Sequence, residues 1–97
     1  MYMKSPAVYI MASKKNGTIY TGVTSNLIKR AYEHRNSTIK GFTSRYGCKL
    51  LVYLEFHETM SSAIEREKLI KRMSRAEKVA LIESSNLPWK DLYQLLL

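Results

Sequence analysis

Arg30 and His34 stand four residues apart, and Tyr20 precedes them in the stretch "YTGVTSNLIKRAYEH". In a helix, the i, i+4 spacing places a guanidinium and an imidazole on one side. A second tyrosine, Tyr9, lies eleven residues before Tyr20. A fifth residue breaks a pattern: Met60, Ala63, Ile64, position 67 and Ile70 follow the spacing of an apolar helical stripe, and position 67 is a glutamate. A carboxylate there is expensive unless a basic partner or a metal ion compensates it. Lys71, one turn on, is such a partner, so an ordinary ion pair and a metal ligand both remain open for Glu67. Glu65 falls roughly 160° away around the helix and is expected in solvent. Taken singly, Arg30 reads as a solvated helix residue and the tyrosines as packing residues. The two histidines, His34 and His57, lack the spacing of a zinc motif. It is the combination that points to chemistry.

The elements that must position these residues are legible from pattern. "AVYIMASKKNGTIYTGVT" predicts a hairpin, two Val-, Ile-, Tyr- and Thr-rich runs around Asn16-Gly17. Alternation places Val8, Ile10, Ala12, Ile19 and Val23 on one face and Tyr9, Met11, Tyr20 and Gly22 on the other. A two-residue loop sets the tyrosines roughly 13 Å apart along the ladder, whereas a four-residue loop makes them diagonal neighbours. Both loops keep the same parity, and both remain open.

A helix from about Asn26 to Arg35 is expected next, with Thr24 or Ser25 as N-cap and Leu27, Ile28 and Ala31 as its buried stripe. "NSTIKGFTSRYG" reads as a long, basic, functional loop. "CKLLVYLEFHE" reads as a strand with Leu50, Val52, Leu54 and Phe56 on one face and Leu51 and Tyr53 on the other, hence as a central strand. Helices are expected from Ser61 to Met73 and, behind a Ser74/Glu77 capping box, to about Glu83. Pro88 is placed to begin a short final helix packed through Trp89, Leu92, Tyr93 and Leu96. The order is ββαβαα plus a short C-terminal helix.

Composition limits the partners. The 97 residues suit a single domain spanning 1–97. The net charge is +8, and residues 1–54 carry all of it: nine basic residues against Glu33 alone, with seven against seven in the remainder. Such a one-sided positive field favours polyanions, nucleic acid foremost. Cys48, the only cysteine, reads as a small buried hydrophobe in a reducing, cytoplasmic protein. The apolar run Val8–Ala12 is too short for an export signal or a membrane span.

These features together resemble the GIY-YIG nuclease domain in its small standalone bacterial form. "VYI" at Val8–Ile10 looks like the first triplet and "YTG" at Tyr20–Gly22 like the second; Arg30, His34 and Glu67 follow in the family's order, and the tail beginning "EREKLIKRM" is similar too. There are departures. Ala7 and Val8 stand where Gly and Ile are typical, Val23 stands where several members carry Lys, and Asn86, the only downstream asparagine after Glu67, is not placed in the site. The resemblance implies an α/β (α+β) fold, a three-stranded antiparallel sheet with helices on both sides. It also implies a metal-dependent endonuclease acting in DNA repair or processing. Glu67 would hold Mg²⁺ or Mn²⁺, with no small-molecule cofactor, and Arg30 would bind the scissile phosphate. Tyr9 would position or deprotonate the attacking water, with Tyr20 and His34 assisting, once Arg30 and the metal had lowered its pKa from ~10. Lys29, Arg35, Lys40, Arg45, Lys71 and Arg75 would carry the backbone of a nucleic acid, DNA first. Aromatics in "FTSRY" would stack on bases. The alternative is a basic DNA- or RNA-binding module without catalysis.

Overall fold

The structure is a computed structural model and describes residues 5–38 and 41–97. Three strands, β1 (Ala7–Ala12), β2 (Ile19–Thr24) and β3 (Leu50–Phe56), form an antiparallel sheet in the order β2-β1-β3. The helices are α1 (Leu27–Arg35), α2 (Phe42–Tyr46), α3 (Met60–Lys71) and α4 (Arg75–Ser85), followed by a 3-10 turn at Leu92–Leu96.

The hairpin has the four-residue loop. Ala12 pairs with Ile19, and the Ser13 N–H donates to the Thr18 carbonyl at 2.9 Å, leaving Lys14–Gly17 to turn the chain. Asn16 takes a positive φ of 60°, which an asparagine tolerates. The expected alternation holds. Val8, Ile10 and Ala12 meet Ala63, Ile70 and Ile82 on one side of the sheet, with Ile19 and Val23 against them. Tyr9 and Met11 meet Leu27, Ala31 and Tyr93 on the other, with Tyr20 against them. Every residue of β1 is therefore buried, as befits the middle strand between two helical layers.

Four expectations need correction. β3 lies at an edge of the sheet. Two of its backbone groups are bonded by the C-terminal segment: Asp91 Oδ1 accepts from the Leu51 N–H at 3.1 Å, and Asn86 Nδ2 donates to the Val52 carbonyl at 2.9 Å. These contacts give an edge strand the cover that its two apolar faces require. The faces of β3 also differ. Ile10 pairs with Tyr53 but Met11 with Leu51, so Val52 is a bulge that turns both itself and Tyr53 toward the Ala63–Ile82 layer and leaves Leu51 and Leu54 on the Tyr9 side. The cap of α1 is Asn26, whose side chain accepts from the Lys29 N–H, while Thr24 Oγ1 accepts from the Asn26 N–H. Finally, the last helix begins at Leu92. Asn86 is buried and ties the preceding turn through the Lys90 N–H and carbonyl, and Trp89 crosses that turn at a φ of 58° to bond Glu83 at 2.7 Å. Asn86 is thus a structural residue.

α3 starts at Met60 behind the N-cap Thr59, and α4 has the full Ser74/Glu77 capping box. Cys48 is buried as a small apolar residue, and burial raises its thiol pKa.

Candidate nuclease site

The site is built over a glycine. Tyr9 lies directly across the ladder from Gly22, and its ring lies over the bare glycine backbone: a Cβ on Gly22 would run into the Tyr9 hydroxyl and ring. A side chain at position 22 would displace the phenol. Tyr20, the diagonal neighbour, brings its ring to 6.4 Å from that of Tyr9.

Helix α1 supplies the next two residues. Its buried side, Leu27 and Ala31, also carries His34, which is 3% exposed. His34 Nε2 lies 2.9 Å from Tyr9 Oη, and Nδ1 lies 2.9 Å from Thr43 Oγ1 on α2. The three rings form a triangle, with His34 5.5 Å from Tyr9 and 5.7 Å from Tyr20. Burial, and then the Arg30 charge, push the His34 pKa down, with Glu33 opposing, so the imidazole is neutral at pH 7. Arg30 itself stands at the open side, paired with Glu33 at 3.4 Å.

Tyr9 on its own is less acidic than an ordinary tyrosine. Burial and then Tyr20 raise its pKa well above the ordinary tyrosine value; Arg30 pulls it down, and Glu33 and Glu67 add to the rise. One guanidinium does not offset the desolvation of a phenolate, so Tyr9 is a neutral phenol in the protein as it stands.

Glu67 is turned inward on α3 between Ala63 and Ile70, its side chain 12% exposed, whereas Glu65 is exposed as expected. Met60 and Ile64, also assigned to the stripe, lie at its rim and are exposed. Lys71 Nζ holds Glu67 Oε2 at 2.7 Å. The carboxylate is near enough to Tyr9 to act on its hydroxyl, so residues from β1, β2, α1 and α3 share one field. Among the described residues no three His, Cys, Asp or Glu side chains converge. Among the described residues the donor set is thus one carboxylate, that of Glu67. It fits Mg²⁺ or Mn²⁺, which complete their shells with water and phosphate oxygens, and it does not fit a protein-ligated zinc.

The proposed basic contacts divide. Lys29 and Arg45 are exposed, Arg45 stacking 5.9 Å over Tyr46. Lys71 serves Glu67, and Arg75 donates to the Gly17 carbonyl at 2.7 Å. Arg35 is committed to the fold, bonded to Asp91 and lying 4.8 Å over the Tyr93 ring. Lys40 lies outside the described residues.

The stretch expected to be a loop contains α2, framed by Gly41 and Gly47 at positive φ. Its exposed Phe42 sits 6.0 Å from Tyr20 and 4.7 Å from Tyr46. Its buried Thr43 is the site residue that sequence reasoning missed, because a lone threonine in a polar stretch has no periodic signature. Glu33 was visible as the sole acid of the N-terminal half but was not assigned to the site.

A sheet whose central tyrosine reaches over a glycine to a histidine and an arginine defines a class. The model of the GIY-YIG catalytic domain matches residues 5–80, and the chain belongs to that family. Its relatives include a UPF0213 protein of Clostridium perfringens, 40% identical over 82% of this chain and 85% of its own. A UPF0213 protein of Syntrophus aciditrophicus is 37% identical over 86% and 95%. The solution NMR structure of a UPF0213 protein from Bacillus halodurans superposes with a TM-score of 0.57 at 26% identity, over 94% of this chain and 96% of that one. The family implies a nuclease-like function on nucleic acid. Among the described residues no helix is long and apolar enough to cross a membrane.

Proposed function

We propose that the protein is a Mg²⁺- or Mn²⁺-dependent endonuclease that hydrolyses phosphodiester bonds of DNA in repair or processing. The observation that carries this reading is the hydrogen bond between Tyr9 and His34 in the field of Arg30 and Glu67, four residues brought together from three elements. Arg30 turns from Glu33 to the scissile phosphate through its fork of donors. Tyr9 holds the attacking water at Oη, and in its ionised form takes the proton of that water. Neutral His34 holds the phenol in place, and Tyr20 packs against both rings. Glu67 would hold the cation, which supplies positive charge to the phosphate oxygens and to the leaving oxygen. That added charge also favours the Tyr9 phenolate, which Arg30 alone does not secure.

The Lys71 pair favours a second reading, a basic binding module in which Glu67 is only an ion-pair partner. Incubation with labelled linear, branched and single-stranded DNA and RNA, with and without Mg²⁺, separates the two. Metal-dependent nicking supports the enzyme; salt-sensitive binding with no nicking of any substrate supports the module.

A further inference from the structure

Helix α1 delivers His34 to the site, yet it has only nine residues, of which Leu27, Ala31 and His34 are buried. The next position of that stripe, 38, lies beyond the helix. His34 therefore sits in a last turn that the buried stripe does not extend past, with Arg35 beside it. The hydroxyls of Tyr9 and Thr43 hold the ring, and the turn that carries the ring is tied elsewhere.

The tie comes from the C-terminal segment. Arg35 Nη1 donates to Asp91 Oδ2, and its guanidinium lies 4.8 Å over the ring of Tyr93. Tyr93 is buried and packs in the same cluster as Tyr9, Leu27 and Ala31. The other carboxylate oxygen, Asp91 Oδ1, accepts from the Leu51 N–H and the Tyr93 N–H, each at 3.1 Å. One side chain thus joins the last turn of α1 to the edge strand β3 and to the 3-10 turn. A carboxylate that only capped the 3-10 turn would use Oδ1 and leave Oδ2 to solvent. Asp91 commits Oδ2 to the helix that carries the site. Both Asp91 and Tyr93 lie outside residues 5–80, the part that the family model matches.

We propose that Asp91 is a positioning residue: through Arg35 it fixes the last turn of α1 and so sets the His34 ring against Tyr9. Neither Asp91 nor Arg35 touches the reacting atoms. The effect on cleavage rests on the endonuclease reading, whereas the placement of His34 does not.

The test compares the wild type with Asp91→Asn, Arg35→Gln and the double variant. It reads amide hydrogen exchange, the ring NMR signals of His34 and Tyr9, and kcat and KM for Mg²⁺-dependent cleavage of a labelled DNA. Asparagine keeps Oδ1 for the two backbone donors and turns an amide toward Arg35, so it removes the tie alone. Asp91→Asn is expected to keep the overall amide spectrum, to exchange the His34 and Arg35 amides up to about fivefold faster, and to shift both ring signals. Its kcat should fall on the order of tenfold with KM unchanged, because the tie lies away from the bound DNA. Arg35→Gln should reproduce these effects, and the double variant should go no further than either single one. Wild-type exchange and ring signals in Asp91→Asn, or effects that multiply in the double variant, overturn the proposal. Lowered stability with unmoved ring signals and kcat is what a role in folding alone would give, and it overturns the proposal too. If Asp91→Asn does not fold, Arg35→Gln decides: wild-type exchange of the last-turn amides overturns the proposal, and faster exchange with lowered kcat at unchanged KM supports it. The expected exchange and ring shifts, with no cleavage of any DNA or RNA by the wild type, leave Asp91 in its role and refute the endonuclease reading instead.

Discussion

Gly22→Ala adds a single methyl to the middle of β2, and its effect depends on where the Tyr9 ring lies. The Gly22 backbone is not in a left-handed conformation, so alanine meets no strain of its own, and removing a strand glycine should stabilise by ~0.5–1 kcal/mol. The new Cβ, however, occupies the place of the Tyr9 hydroxyl and ring edge. Tyr9 is 1% exposed and packed between Tyr20 and His34, so it cannot swing away without disturbing its neighbours. Overpacking of this kind costs ~1–3 kcal/mol, and losing the bond to His34 adds ~0.5–1.5 kcal/mol. The net loss is ~0.5–4 kcal/mol, a fall of about 1 M in the urea midpoint for a loss near the middle of that range at a typical m-value for a small protein. In a Tyr9→Leu background the methyl has room, and the same substitution should cost at least ~1 kcal/mol less. Urea unfolding of the four proteins measures this coupling. A neutral or stabilising Gly22→Ala, or strict additivity with Tyr9→Leu, would refute the account of why this position is a glycine.

Three further outcomes are expected. His34 has a lowered pKa in the folded protein, so unfolding binds a proton and stability falls as the pH drops from about 7 through the ordinary histidine value of ~6.5 toward the folded one; the urea midpoint of His34→Gln should lose less over this window than that of the wild type, the charges facing the ring being Arg30 and Glu33 in both. Lys29→Gln and Arg45→Gln should each reduce the slope of log Kobs against log salt for duplex DNA by ~0.9, whereas Arg35→Gln should leave it unchanged, because Arg35 serves Asp91 and Tyr93. Phe42→Ala should weaken binding of a single-stranded oligonucleotide by ~1–3 kcal/mol, the worth of one stacked base, as read by fluorescence titration; an unchanged affinity would show that the Phe42–Tyr46 face does not stack.

Hairpin, face assignment and capping box were legible because each is set by residues close in sequence: Asn16-Gly17, the alternation of Val8, Ile10 and Ala12 against Tyr9 and Met11, and Ser74 with Glu77. The meeting of Tyr9 with His34 follows from that parity and from the i, i+4 spacing with Arg30. What was not legible depends on distant contacts. The bulge at Val52 and the edge position of β3 require Asn86 and Asp91, which sit more than thirty residues away and carry no strand signal. Strand hydrophobicity alone reports that both faces are covered, not which neighbours lie beside them. Arg35 looked like any other basic helix residue, and only Asp91 and Tyr93 show that it is spent. Tyr9 was expected to be acidified by Arg30 and a bound metal together; the burial that opposes them is a property of the folded packing and was not legible.

The central claim turns on Glu67, and Mg²⁺-dependent cleavage by Glu67→Gln, beside wild type and Glu65→Gln, tests it most directly. An amide is a far weaker ligand than a carboxylate for a hard cation, so Glu67→Gln should lose cleavage while still binding DNA through its basic surface. Its stability should change by no more than about 0.5 kcal/mol, because Lys71 is half exposed and such i, i+4 pairs are weak. Glu65→Gln, altered in solvent, should match the wild type in every respect. Wild-type cleavage by Glu67→Gln would place the metal elsewhere and contradict the account.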